Sequence, residues 1–441
     1  MNKSVIIIGG GLAGLASAVF LSSEGFDVSV YESTPKPGGR TYSYFDKEKQ
    51  IYIDNGQHIL AGWYENTFDY LKLIGTYDRL KLNDRMRLVF CDWNKNTYTL
   101  ENGNSPGVLG LISGVFNFKG FKLNDKIKFL KVKALLNNKK YSKEYLGALN
   151  AAKLLDELQQ TVNLKKYFWH PFIYAAFNTV PENVDAGLFV DLIKKGTELK
   201  KNMSIILSDG NLNELFIDKA IDYLNTKSAD VKLNTGIKKI NTERDFIKNV
   251  ETSDGKILNS DYYISAVPNY SIKKLFENKE DSNYFNEAEK LKPSAIISIH
   301  LFFNNPVNLK IKEDMIGLVD SVVQWVFVKS DKHLCLVISG SDFLENNLTE
   351  MDNNKIYKIC VDDLKNCLEG FDENSISDFK VIKEKRATFL PEKGSEKFRF
   401  KQKSKFNNFF IAGDWTDTGY PSTIESAIKS ARICTDLIVN N

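Results

Sequence analysis

Cysteine and histidine are scarce in this 441-residue chain. Five cysteines (Cys91, Cys335, Cys360, Cys367, Cys434) and four histidines (His58, His170, His300, His333) lie far apart, with no C-x-x-C pair. That spacing argues against a disulfide framework and a zinc site, so no metal is expected; it reads as buried, reduced thiols of a cytoplasmic protein. Charge of one sign is also missing. Lys+Arg 59 against Asp+Glu 56 leaves a net +3, which gives no electrostatic case for a nucleic-acid partner. No run approaches the roughly 18 apolar residues of a spanning helix. The apolar run Val5–Ile8 behind Lys3 is broken at once by Gly9-Gly10-Gly11, too short for an export signal. No repeat of fixed period and no low-complexity linker interrupts the chain. What is present is 43% hydrophobic and 12% aromatic content, enough for two or three folded domains.

The four consecutive β-branched residues Val5–Ile8 predict a strand buried on both faces, as in a parallel sheet. Gly9-Gly10-Gly11-Leu12-Ala13-Gly14 follows, then a helical run from Leu15 to Leu21, Gly25 as its stop, and a second strand, Asp27–Glu32. This is strand, G-x-G-x-x-G, helix, strand, the context in which the motif binds a dinucleotide. Gly9 permits the tight turn, Gly11 lets backbone approach a diphosphate, and Gly14 lets helix pack against strand. Helix N–H groups near Leu12 and Ala13 then face the phosphates. Glu32 ends the second strand, where a carboxylate accepts from both ribose hydroxyls and repels a 2′-phosphate. A plain structural turn is the alternative; strand, helix and acid standing in their places count against it.

Six residues after Glu32 come Gly38-Gly39-Arg40, a second glycine pair with a cation behind it. G-x-G-x-x-G, Glu and then G-G-R resembles the FAD-binding signature of the flavin amine oxidase and carotenoid desaturase superfamily. The resemblance implies FAD and an α/β fold: a Rossmann-like domain of glutathione-reductase type with an interleaved α+β substrate domain and a helical lid. It also supplies boundaries: residues 1–75, 204–270 and 404–441 for the discontinuous FAD domain, 76–203 and 271–403 for the substrate domain.

Along the remaining chain, residues from about Tyr64 to Tyr145 read as mainly helical. Pro106 to Gly120 is rich in glycine and phenylalanine, and Leu123, Ile127, Leu130 and Ala134 are spaced as on one helix face, with Lys126, Lys128, Lys131 and Lys133 beside them. Two readings stay open for 107–133: a surface helix with its stripe on the core, or an interfacial patch with apolar groups in lipid and lysines on anionic headgroups. Further on, Ile237–Ile240 reads as a strand, Asp254-Gly255 as a hairpin turn, and Tyr262–Val267 as a buried strand stopped by Pro268. Phe409–Ala412 is another strand, running into Gly413-Asp414, and a helix follows from Ser422 to Ile438.

Gly413-Asp414 resembles the second FAD motif of the superfamily, and Tyr420-Pro421-Ser422-Thr423-Ile424-Glu425 puts a helix N-terminus where the flavin's N1–C2=O edge is expected. Ser422 with Glu425 also fits a capping box. Amine oxidases carry a Tyr two residues before this Glu; here it is Thr423, which makes an amine substrate the weaker expectation. Asp54-Asn55-Gly56-Gln57-His58 and the stretch from His170 to Glu182 resemble segments of carotenoid desaturases and hydroxysqualene dehydroxylases. The full cofactor set so expected is Gly9, Gly11, Leu12, Ala13, Gly14, Glu32, Gly39, Arg40, Gly56, Gln57, Ile237, Gly413, Asp414, Thr423 and Ile424.

The resemblance implies an FAD-dependent oxidoreductase acting on a long apolar isoprenoid, by reductive removal of an allylic hydroxyl; the alternatives are a phytoene-type desaturase or isomerase and a non-catalytic flavin-fold partner. Such chemistry needs an apolar tunnel, a proton donor and exclusion of water. The 29 Phe and 19 Tyr can line a tunnel. His58 is the first expected proton donor and Asp54 the second, with a structural role for His58 as the competing reading. His170 reads as a packed helix-end residue. No nicotinamide site is evident, which points to a separate, unidentified reductant.

Overall fold

The computed structural model describes residues 3–83, 85–105, 107–137, 140–345 and 347–441. Pro106 and the Ala134 side chain lie outside the described residues. Five parallel strands form one sheet in the order Asp230–Lys232, Asp27–Tyr31, Ser4–Ile8, Tyr262–Ser265, Phe409–Ile411. Ser4–Ile8 therefore has partners on both sides, and its apolar run is buried as a central parallel strand requires. The opening helix Leu12–Ser23 packs against the closing helix Ile424–Val439, which brings the two ends of the chain together. A three-stranded antiparallel meander, Ile237–Glu243, Phe246–Thr252 and Ile257–Leu258, leaves the same unit, turning at Gly255.

The second layer is a seven-stranded sheet in the order Ile376–Phe389, Pro293–Phe303, His333–Ser339, Trp325–Ser330, Met315–Leu318, Arg87–Cys91, Thr97–Glu101. All its pairings are antiparallel except Met315–Leu318 with Arg87–Cys91. Strand alternation splits its side chains cleanly. Val326, Leu334, Leu336 and Ile338 pack under the helix Asn353–Cys367, whereas Trp325, Phe327, Cys335 and Val337 join the core shared with the first unit. Helices Gly107–Asn117, Ala151–Glu157, His170–Phe177 and Ala186–Glu198 cover one side.

Two expectations are corrected here. Arg87–Cys91 and Thr97–Glu101 are not helical: they form a hairpin whose turn holds Lys95 at positive φ, and both runs carry β-branched and aromatic residues (Val89 and Phe90; Thr97, Tyr98 and Thr99) that favour strand. The stripe of Leu123, Ile127 and Leu130 does not face the core. It is 70%, 53% and 42% exposed, and the chain breaks into Leu123–Phe129 and Val132–Asn137, burying Phe129, Val132 and Leu135 instead.

Gly14 sits where the opening helix crosses the first turn; a Cβ there would lie 1.9 Å from the Gly9 carbonyl oxygen. Backbone cannot yield as a side chain can. Gly14→Ala is expected to lose on the order of 3 kcal/mol of stability, read as a lowered thermal midpoint together with loss of bound FAD.

Candidate cofactor and active site

At the first turn, Gly38 N donates to Gly10 O at 2.8 Å and the Gly11 backbone bridges to Gly38. A Cβ on Gly39 would meet Gly11 Cα at 3.1 Å, so the two glycine segments run back to back. The helix beginning at Leu12 has Gly11 at its N-cap and no side chain accepting from its first N–H groups. Those amides, with Leu12 and Ala13 in the first turn, are the donor set a diphosphate takes. Glu32 Oε2 accepts the Gly10 N–H at 2.7 Å and Oε1 the Thr34 N–H at 2.8 Å. Oε1 also accepts from Ser33 Oγ at 3.2 Å, so Oε2 is the oxygen with a lone pair left for a ribose hydroxyl. Thr235 N donates to Glu32 O, bringing the buried Ile237 to the same corner.

At the other end, Gly413 adopts φ +148° and the Asp414 carboxylate is paired with the Arg40 guanidinium and accepts from Ser422 Oγ. Burial would raise this carboxyl; the Arg40 charge and hydrogen bond, helped by Ser422 and Arg399, outweigh it and hold it below the usual range. Arg399 is itself fully buried and donates to the carbonyls of Asp414 and Thr416, setting the path of the loop. The helix cap differs from expectation. Thr423, not Ser422, is the N-cap, accepting the Ser426 N–H at 3.1 Å. Glu425, fully buried, reaches across instead to the helix Glu65–Ile74, where it accepts from the N–H groups and side chains of Asn66 and Thr67. Ser422 is pulled out of the capping position by Asp414.

The loop from Asp54 joins these parts to the second sheet. Asn55 Nδ2 donates to Arg40 O at 2.8 Å. Asp54 accepts from Ser43 Oγ at 2.6 Å and from Lys329 Nζ at 3.1 Å, and the same ammonium donates to Gln57 Oε1 at 2.9 Å. A Cβ on Gly56 would touch only Ser298 Oγ, at 3.6 Å. His58 turns Nδ1 to Gly56 O at 2.9 Å; burial lowers its pKa, against the opposing pull of that bond and of Asp54, so the ring is neutral at pH 7. Sequence reasoning missed Lys329. Its signal was the apolar alternation Trp325, Phe327 ending on a lysine, which puts an ammonium on the inward face of a strand. It also missed His300 and His333, tilted against each other on neighbouring strands with Nδ1 and Nε2 2.9 Å apart. His170 differs from expectation: it is half-buried and continues without a break from the helical residues Lys165–Trp169 into His170–Phe177, so it lies within a helical run and not at a helix end.

Beside this polar web lies an apolar cavity, partly open to solvent. Thr423, Pro421, Tyr420, Tyr64 and Trp63 form one part of its wall, Trp325, Phe90, Phe168 and Leu111 others. Among the described residues the wall contains no carboxylate, ammonium or imidazole; Asp54 and His58 stand outside it and Ile59 to Ala61 inside.

A dinucleotide-binding parallel sheet, a glycine cradle, an acidic ribose acceptor and a second motif at a helix N-terminus define an FAD-dependent oxidoreductase. The family model described as flavin containing amine oxidoreductase matches residues 12–439, and the chain belongs to that family. The hydroxysqualene dehydroxylase of Zymomonas mobilis is 28% identical over 99% of both chains, and that of Sinorhizobium fredii 26% over 100% and 99%. The 15-cis-phytoene desaturase of Solanum lycopersicum is 23% identical over 99% of this chain and 78% of its own length. Among solved structures, an oxidoreductase from Methanosarcina mazei superposes with TM-score 0.72 at 15% identity, covering 98% of this chain and 100% of its own. Putrescine oxidase bound to putrescine does so with TM-score 0.72 at 12% identity, covering 100% of both.

Burial pushes the His300 and His333 imidazoles well below their ordinary pKa, in His333 aided by its neighbour's charge. Unfolding frees both rings to bind protons near pH 6.5, so the unfolded chain binds more protons below that pH and stability falls as pH falls. Denaturant midpoints are expected to drop below about pH 6.5, with a slope approaching 1.4 kcal/mol per pH unit for each ring. His300→Phe should flatten that slope.

Proposed function

We propose that this enzyme removes the allylic hydroxyl of a long isoprenoid alcohol, converting hydroxysqualene to squalene. The observation that carries this reading is the cavity: it is large, apolar and free of charged groups among the described residues, and it reaches Thr423 at the N-terminus of the closing helix. A protonated amine would find no carboxylate there, and the position where amine oxidases carry a tyrosine is Thr423. Full-length similarity to the two hydroxysqualene dehydroxylases supports the alcohol over a polyene; the desaturase relatives keep a phytoene-type reaction as the second reading.

In this scheme residues 1–75, 204–270 and 404–441 hold the cofactor and the two intervening segments build the substrate chamber. Gly9, Gly11, Leu12, Ala13, Gly14, Gly39 and Arg40 take the diphosphate, Glu32 and Ile237 the adenosine end, and Gly413, Asp414, Thr423 and Ile424 the flavin end. Gly56, Gln57, Asp54 and His58 form the polar edge beside it. Reduced FAD, when bound, would supply hydride to the allylic carbon while a proton passes to the departing oxygen, which leaves as water; in this scheme His58, or after it Asp54, is the proton donor. The apolar wall excludes water from a carbon that becomes cation-like as oxygen leaves, and its aromatic faces stabilise positive charge. Reducing equivalents come from a separate partner.

The exposed Leu109 and Phe116 share the helix Gly107–Asn117 with Leu111 of the cavity wall, and the exposed Leu123, Ile127 and Leu130 follow on the next short helix and its C-cap, among Lys119, Lys122, Lys126, Lys128, Lys131 and Lys133. This combination suits an anionic bilayer surface from which so apolar a substrate is drawn, each lysine contributing about 1 kcal/mol near the headgroups.

Photoreduced enzyme incubated anaerobically with hydroxysqualene is expected to reoxidise its flavin and form squalene, detected by mass spectrometry. Inert hydroxysqualene combined with conversion of phytoene by the oxidised enzyme would transfer the assignment to the desaturase reading. In sedimentation with phosphatidylglycerol vesicles, Leu123→Asp with Ile127→Asp should weaken binding about tenfold or more without loss of FAD, since each removes a buried apolar side chain from the interface.

A further inference from the structure

The cavity wall is apolar almost throughout, so its few polar atoms decide which functional group a bound molecule can carry. Three tyrosines stand in the wall, Tyr64, Tyr167 and Tyr420. Tyr167 packs with Tyr98, Phe118 and Phe121, away from the closing helix. The Tyr420 ring is covered by the Lys429 ammonium, 4.6 Å from its centroid. Tyr64 differs from both. It is 8% exposed and lines the cavity together with Thr423, whose hydroxyl is its hydrogen-bond partner, with the Glu425 carboxylate nearby. Thr423 already accepts the Ser426 N–H as the helix N-cap.

Tyr64 is also held still. Its N–H donates to Ala61 O at 2.9 Å, its carbonyl accepts the Phe68 N–H at 2.9 Å, and it is the N-cap residue of the helix Glu65–Ile74. The next two residues but one, Asn66 and Thr67, are clamped by the buried Glu425 carboxylate, which belongs to the closing helix one residue after Ile424. One side chain thereby fixes the distance between Tyr64 and the cofactor end of the site. Rigid placement of a donor is what makes it selective, since no reorganisation is needed when charge grows on its acceptor.

We propose that the Tyr64 phenol is the hydrogen-bond donor that seats the oxygen of the substrate, making the cavity selective for an isoprenoid alcohol over the matching hydrocarbon. This rests on the isoprenoid reading above. Burial drives the phenol's pKa far up, so it stays protonated and remains a donor across the working pH range. A hydrocarbon leaves the phenol only the Thr423 hydroxyl that also caps the closing helix, and forfeits the hydrogen bond an alcohol or ketone oxygen would accept, roughly tenfold in affinity.

The oxidised holoenzyme, titrated by the change in flavin absorbance, gives the test. Hydroxysqualene and its ketone, which only accepts hydrogen bonds, are expected to bind the wild type about tenfold or more tightly than squalene. Tyr64→Phe removes one oxygen atom; it should keep its FAD and its visible spectrum while the alcohol-to-hydrocarbon ratio falls to near one. An unchanged ratio in Tyr64→Phe overturns the proposal. So does a ketone that binds the wild type no better than squalene, a result that holds even where the variant sheds its flavin. Wild type that prefers the alcohol yet forms no squalene would remove the dehydroxylation reading and leave Tyr64 in place.

Discussion

The Arg40–Asp414 ion pair is the contact on which the site's architecture turns, because it joins residues 374 positions apart at the point where three chain segments meet. Arg40 follows the second glycine pair, its backbone carbonyl holds Asn55, and its charge keeps Asp414 ionised and bonded to Ser422. The opening turn, the Asp54–His58 loop and the closing helix are thus registered against one another by one residue, Arg40, through its carbonyl on one side and its guanidinium on the other. Closing so long a loop costs little more than closing one of half the length, since the entropy grows only with the logarithm of length. Packing of the opening helix on the closing helix supplies the apolar contacts that make the closure stable.

Local motifs were legible in the sequence where backbone geometry dictates the residue. Gly14 must be glycine because a carbonyl lies where its Cβ would be, and Glu32 must end a strand to reach Gly10. Such requirements are local, so they survive as spacing. The second sheet was harder. Arg87–Cys91 finds its parallel partner more than 220 residues on, at Met315–Leu318, and no short-range pattern encodes that pairing. The exposed stripe at Leu123, Ile127 and Leu130 has the periodicity of a buried one; periodicity says that a helix has two faces, not which face is inside. Glu425 misled for a related reason. Its spacing from Ser422 fits a capping box, yet an unrelated helix start offered it four donors, and a buried carboxylate goes where its lone pairs are best satisfied.

The site divides into a wet half and a dry half, and that division bears on the chemistry. Charges and imidazoles collect where the Asp54–His58 loop meets Lys329, His300 and His333, outside the cavity wall. Inside the wall, among the described residues, hydroxyls, indoles and the thioethers of Met86, Met203 and Met315 are the side-chain groups that interrupt carbon. A carboxylate or ammonium in the chamber would have to be desolvated each time an apolar chain filled it, at several kcal/mol per ion. A phenol or threonine hydroxyl costs far less and still donates.

That economy explains why the closing helix begins on Thr423. The residue lends one lone pair to its own helix through Ser426 and stands beside the Tyr64 phenol, so a capping residue also marks the boundary between the polar web and the chamber. A tyrosine at this position would fill the space with a ring and offer a cation its face. Threonine leaves room for a thick apolar chain and keeps a neutral hydroxyl at the junction. On the proposed reading, the contrast between a site that frames a cation and one that takes a neutral chain rests on ring against small hydroxyl at one helix N-terminus.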